Sequence, residues 1–174
     1  MISIRPAAPD DAALVLGFIR ELAEYERLAH AVSATEEDLR CTLFGPEACA
    51  HALIACLDED PIGFAVYFFS YSTFVGRPGL YLEDLYVRPA ARGRGVGRRL
   101  LAHLARIAVA RGCGRMEWAV LDWNEPAIRF YRSLGASPND DWTTYRLSSD
   151  ALRRLAASGE RKDRSGGRGG RTGE

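Results

Sequence analysis

Two kinds of chemistry meet within residues 80–98. Glu83 and Asp84 stand side by side in the apolar alternation of "LYLEDLYVR", and a few residues later "ARGRGVGRR" sets Arg92, Arg94, Arg98 and Arg99 around Gly93, Gly95 and Gly97. A glycine turn between a strand and a helix exposes unpaired backbone amides at the positive end of the helix dipole, which suits a phosphate group. Arg92, Gly93, Arg94, Gly95, Val96, Gly97 and Arg98 together read as a pyrophosphate cradle. The pattern G-x-x-x-x-G-K-[ST] fails, because no Lys is followed by Ser or Thr. G-x-G-x-x-G fails too, because Arg98 or Leu100 stands where its third glycine belongs. What fits is R-x-x-G-x-G, as Arg92, Gly95 and Gly97.

The acids are the second chemistry. In an ideal strand Tyr81, Glu83, Leu85 and Val87 share one face, and a carboxylate among them is costly unless it meets a polar cleft or the solvent at an edge. Asp84 then points to the opposite face, unless a β-bulge re-aims it.

The elements that must position these residues follow from periodicity. "ISIR", "HALIACL", "PIGFAVYFFSYS", "LYLEDLYVR", "RMEWAVL" and "WTTYRL" read as strands, the second and third joined by the turn "DEDP". Asp10 or Asp11 is placed to cap a helix with Leu14, Phe18, Ile19 and Leu22 on one stripe. Ser33 or Thr35 caps a helix that Gly45 stops. Helix 95–111 buries Leu100, Leu101, Leu104, Ile107 and Ala108 and turns Arg98, Arg99 and Arg106 to water. Asn124 caps a short helix with Pro126 in its first turn and Gly135 at its end. "SSDALRRLAAS" is a last helix. From about residue 158, "SGERKDRSGGRGGRTGE" has almost nothing to bury and reads as a disordered Arg/Gly tail after one α+β domain, 1–157.

The bulk numbers exclude several classes. In 174 residues, 47% are hydrophobic and 26% charged, an ordinary globular balance. Lys plus Arg equal Asp plus Glu at 23 each, so net charge gives no reason to expect nucleic acid or an anionic membrane as a partner. No apolar run approaches the roughly 20 residues of a membrane span, and the N-terminus has no signal-peptide core, so a cytoplasmic protein is expected. Cys41, Cys49, Cys56 and Cys113 lack metal or disulfide spacing and read as reduced thiols. His30, His51 and His103 have no ligand spacing, and no metal is expected.

R-x-x-G-x-G resembles the coenzyme A signature of the GNAT superfamily of N-acetyltransferases. "ELAEYE", "YFFSYSTF", "LYLEDLYV", "VLDWNEPAIRFY" and "SLGA" resemble, in the expected order, its diamine acetyltransferase branch, the spermidine/spermine and thialysine N-acetyltransferases. The resemblance implies a mixed, mostly antiparallel sheet whose central strands, here 80–88 and 115–121, splay around acetyl-CoA. It implies that the backbone of Leu85, Tyr86 and Val87 pairs with the pantetheine arm, that Arg92 to Arg98 hold the pyrophosphate, and that Asn124, Glu125, Pro126 and Ala127 also line the cofactor. A bulge beside Glu83 would free the Leu85 amide to polarise the thioester carbonyl.

An amine has a pKa of about 10 and must lose a proton before it attacks a thioester. The resemblance makes Glu83 the general base, through water, and Tyr131 the acid that protonates the leaving thiolate. Residue pattern alone puts Tyr131 on the packing stripe with Ile128 and Leu134, and Phe130 reads as packing or cofactor wall. Tyr25 and Glu26, Asp84, and Glu117 on the far wall are the implied substrate contacts, against a solvated helix end for the first pair. Trp142 either closes a partner's site in a homodimer or packs in the core. Polyamine-preferring members carry an acid where this chain has Ser72-Thr73, so a thialysine- or lysine-like amine or a short diamine is the expected acceptor, by direct attack in a ternary complex. Protein lysine or N-terminal acetylation, and a non-catalytic coenzyme A-binding regulator, are the competing readings.

Overall fold

The computed structural model describes residues 1–163. The chain divides into two compact units, Met1–Trp123 and a second from Asn124 onward.

In the first unit, β1 (Ile2–Pro6), β2 (His51–Leu57), β3 (Asp60–Ser72), β4 (Arg77–Val87) and β5 (Met116–Trp118) form one sheet in sequence order. The first four strands are antiparallel neighbours, and β5 joins β4 in parallel. This is the mixed, mostly antiparallel α+β arrangement expected. Helices α1 (Ala12–Tyr25) and α2 (Glu36–Phe44) cover one face, where Val15, Phe18 and Leu22 pack with Leu43, Ile54, Phe64, Val66 and Tyr86. Alternation sends Leu53, Ala65, Leu80 and Leu82 to the other face, covered by α3 (Val96–Ala110) through Leu100, Leu101, Leu104 and Ala108. Arg88, just past β4, ties α1 to the sheet: its Nη2 lies 2.8 Å from Glu21 Oε1, its Nη1 donates to the Pro61 carbonyl, and its guanidinium stacks on Phe18.

The second unit holds α4 (Glu125–Ser133) and α5 (Ser149–Asp163). Asn124 caps α4, its Oδ1 accepting from the Ala127 amide. Helix α5 continues past residue 158, and 164–174 lie outside the described residues. Among the described residues no helix is long and apolar enough to cross a membrane.

Three expectations are corrected. Residues 142–147 are irregular rather than a strand; Trp142 and Tyr145 are exposed, and the alternation of "WTTYRL" meets no strand to pair with among the described residues. The strand in "RMEWAVL" is cut to three residues, because β5 leaves β4 after Trp118. Neither Asp10 nor Asp11 caps α1 through its side chain; the Asp11 carboxylate is spent on Arg5 and the Ala8 amide. The second helix cap is Thr35, which receives the Asp38 amide in a capping box.

Candidate active site

Strand β4 builds the site by two irregularities. Its partner on one side is lost where β5 ends: Leu80, Tyr81 and Leu82 pair with Met116, Glu117 and Trp118, and 83–87 have no β5 partner. On the other side the β3 register skips a residue, since Tyr67 pairs with Leu82 but Val66 pairs with Asp84, so Glu83 is the extra residue of a bulge.

The bulge changes both parities of the strand. Leu80 donates its amide to Arg115 ahead of β5, whereas Arg88 donates its amide to Ile62 of β3. Even-numbered amides thus face β5 before the bulge and β3 after it, so those of Leu85 and Val87 face the open edge. Side chains switch likewise. Tyr81 packs with Phe68, and Asp84 and Tyr86 sit opposite Val66 and Phe64, all on the α1 side. The ideal-strand arrangement, with Glu83 on the face of Leu85 and Val87, does not hold: the bulge that the resemblance implies is present, brings Glu83 and Asp84 together and sends Leu85 to the opposite face.

The two carboxylates line a cleft of about 410 Å³ with Glu26, and with Ile19, Leu22, Leu28 and Val32 as an apolar wall. Burial, then the charges of Glu83 and Glu26, push the Asp84 carboxyl up to about 6. Burial also raises that of Glu26. Glu83 itself is exposed. Three acids on a half-closed cleft attract an ammonium ion, and a carboxyl poised near neutrality can take a proton from it.

Glu117 and Tyr25 do not line this cleft. Glu117 is ion-paired with Arg115 at 2.7 Å. Tyr25 packs on Trp123 and under the guanidinium of Arg92. Trp123 carries no sequence signal of a site, and of the apolar wall Ile19 and Leu22 stand out as stripe positions of α1 while Leu28 and Val32 lie in the segment after it. Only the i, i+3 spacing of Ile19 and Leu22 hinted at a shared face.

Past β4, Gly93 and Gly95 adopt left-handed backbone with φ of 74° and 77°, and no other atom approaches within 4 Å of where a side chain would sit. Gly95 is the N-cap of α3 and has no side chain to accept from the amides of Val96, Gly97 and Arg98. Val96 is buried and anchors the turn, while Arg94 and Arg98 are exposed. An open strand edge, accessible amides and two outward arginines fit a pantetheine pyrophosphate. Arg92 departs from the expected pose: its Nε donates to the Val87 carbonyl at 2.9 Å.

In the second unit, Glu125, Pro126 and Ala127 form the first turn of α4, and Tyr131 lies two turns along, its ring 5.4 Å from Phe130.

A strand opened on one edge, bulged at a pair of carboxylates and followed by a glycine-rich turn into a helix is the arrangement that the resemblance implies for an acetyltransferase. Residues 17–136 match the acetyltransferase (GNAT) family, and the chain belongs to that family. It is 40% identical to the thialysine N-epsilon-acetyltransferase of Bos taurus, over 89% of this chain and 97% of the relative. It is 31% identical to an L-ornithine N5-acetyltransferase of Arabidopsis thaliana, over 87% and 86%. A solved integron cassette protein from the mobile metagenome of V. cholerae superposes with a TM-score of 0.75 at 30% identity, covering 89% of this chain and 97% of that one. The protein is an N-acetyltransferase.

Proposed function

We propose that this enzyme transfers the acetyl group of acetyl-CoA to the side-chain amine of a small amino acid of the thialysine, lysine or ornithine type, by direct attack in a ternary complex. The observation that carries this is the bulge at Glu83, which gathers three carboxylates and an apolar wall at the open edge of β4. The acids match an ammonium group and the wall matches a short methylene chain. The names of the two relatives, one acting on thialysine and one on ornithine, support an amino-acid amine.

Acetyl-CoA supplies the activated thioester; the residues of this chain supply protons and position. Asp84 takes the proton from the amine, because its raised pKa leaves it ionised yet basic at neutral pH. The resemblance gave that role to Glu83, which in this reading, with Glu26, attracts and orients the cation. The Leu85 amide, on the open edge, donates to the thioester oxygen as charge develops there. Gly93 to Arg98 hold the pyrophosphate; the resemblance alone assigns Asn124 to Ala127 to the cofactor and Tyr131 to protonating the departing thiolate.

The same reading makes the protein a cytoplasmic homodimer that needs no metal and no nucleic acid. Its cysteines are free thiols, as a reducing compartment keeps them, and Phe74 and Val75 at the β3–β4 turn expose apolar surface suited to a second copy.

Initial rates of thiol release against thialysine, lysine, ornithine, putrescine, spermidine and spermine test the acceptor. An amino-acid amine should turn over fastest. Spermidine leading the panel would overturn the acceptor assignment, and no turnover alongside intact coenzyme A binding would overturn catalysis.

A further inference from the structure

A ladder of two guanidinium groups and three aromatic rings stands beside the glycine-rich turn. The Arg27 guanidinium lies 5.7 Å from the centre of the Trp123 ring. Trp123 is 6.0 Å from Tyr25, centroid to centroid and tilted by 50°. Tyr25 carries the guanidinium of Arg92 at 4.6 Å, and Arg92 also lies 5.7 Å from the Tyr86 ring. The ladder ends where Arg92 Nε donates to the Val87 carbonyl.

A guanidinium has one plane and one Nε. With its face on Tyr25 and its Nε on Val87, Arg92 is oriented by the ladder and directed at the backbone of β4. Arg27, at the other end, has a left-handed backbone with φ of 62°, unusual for a residue with a side chain. That conformation reverses the chain after α1, in the segment that lies against Trp123. Arg92, Arg94 and Arg98 are all exposed, but the contacts to Tyr25, Tyr86 and the Val87 carbonyl are made by Arg92.

Resting on the acetyl-CoA reading above, we infer that Arg92 serves the open β4 edge and the pantetheine end of the cofactor rather than the pyrophosphate, and that Tyr25, Trp123 and Arg27 are positioning residues that hold it there. The phosphates are then met by Arg94, Arg98 and the α3 amides. Tyr25 thereby moves from the substrate side, where sequence resemblance put it, to the cofactor side.

Calorimetric titration with two ligands tests this: coenzyme A, and its 3′-phospho-ADP portion, which keeps the pyrophosphate and lacks pantetheine. Arg92→Met should raise the Kd for coenzyme A about tenfold and leave that for 3′-phospho-ADP within about twofold. Arg92→Lys should behave like Arg92→Met, since lysine keeps the charge but loses the planar face and the Nε donor. The double variant Arg94→Met/Arg98→Met should weaken both ligands. Trp123→Leu should follow Arg92→Met at about three- to fivefold, and Trp123→Phe, which keeps a ring, should restore wild-type affinity. These two variants carry the test if Arg92→Met does not fold. Equal losses of Arg92→Met on both ligands, rescue by lysine, or Trp123→Leu binding coenzyme A as wild type would each overturn the inference. Wild-type protein that binds neither ligand would overturn the acetyl-CoA reading beneath it.

Discussion

Asp84 concentrates the chemistry at the scale of single residues. Its carboxyl is raised from 3.8 to about 6 by burial and by its two acidic neighbours. The kcat/KM profile of the wild type should therefore rise along a limb centred near pH 6. Asp84→Asn should lose that limb and fall by roughly 10²- to 10⁴-fold in kcat. Glu83→Gln should keep the limb and raise KM more than it lowers kcat; the reverse ranking in steady-state profiles would return the base to Glu83. A stability effect follows with a definite sign. A folded pKa above the unfolded one means that the folded state binds more protons between about pH 4 and 6, so stability falls as pH rises through that window. Asp84→Asn should exceed wild type by on the order of 1–3 kcal/mol at pH 8, with the gap closing below about pH 4, as denaturant titrations at each pH would measure. Neither shift was legible in the sequence, because Glu26 reaches Asp84 only through the packing of α1 on β4.

Strand β4 does its work as an element, by being imperfect, and its neighbour β3 sets where. Gly63 lies opposite Val87, and a Cβ there would stand 2.6 Å from the Tyr86 carbonyl, so the backbones approach as closely as only glycine permits. Gly63→Ala should push the open edge of β4 outward, costing about 1–3 kcal/mol in stability. It should also weaken coenzyme A binding while far-UV circular dichroism stays native; unchanged affinity would show that the edge is not a cofactor contact. Gly95→Ala acts differently, since there is room for the methyl group and the cost is the left-handed backbone. It should lower stability by about 1 kcal/mol and loosen the phosphate turn, read as a higher Kd for 3′-phospho-ADP. The elements were readable in sequence where their signals are local: the Arg/Gly turn opening α3, the Asn124 cap and the apolar stripes of α1 and α3. "WTTYRL" misled because alternation states only that a segment could pair, and a strand exists only where a partner edge receives it.

At the scale of the whole chain, residues 17–136 match the acetyltransferase family and the last residues are rich in Arg and Gly. Residues 164–174, "RSGGRGGRTGE", carry no large apolar side chain, and the proposed reaction assigns them no task. Removing 164–174 should leave amine turnover within about twofold at every salt concentration, whereas loss of a salt-sensitive RNA affinity on truncation would reopen a nucleic-acid role. By itself the sequence determined the α+β class, most of the elements, the Arg/Gly turn that opens α3 and the presence of paired acids at 83 and 84, because each is encoded by residues within a few positions of one another. Tertiary structure alone decided that the two acids share a cleft, which of them is perturbed, and that Tyr25 and Arg92 face each other. A bulge is a mismatch between two strands, a pKa is set by whatever surrounds the group, and a stacked ladder needs rings from distant segments; none of these is a property of any single stretch of chain.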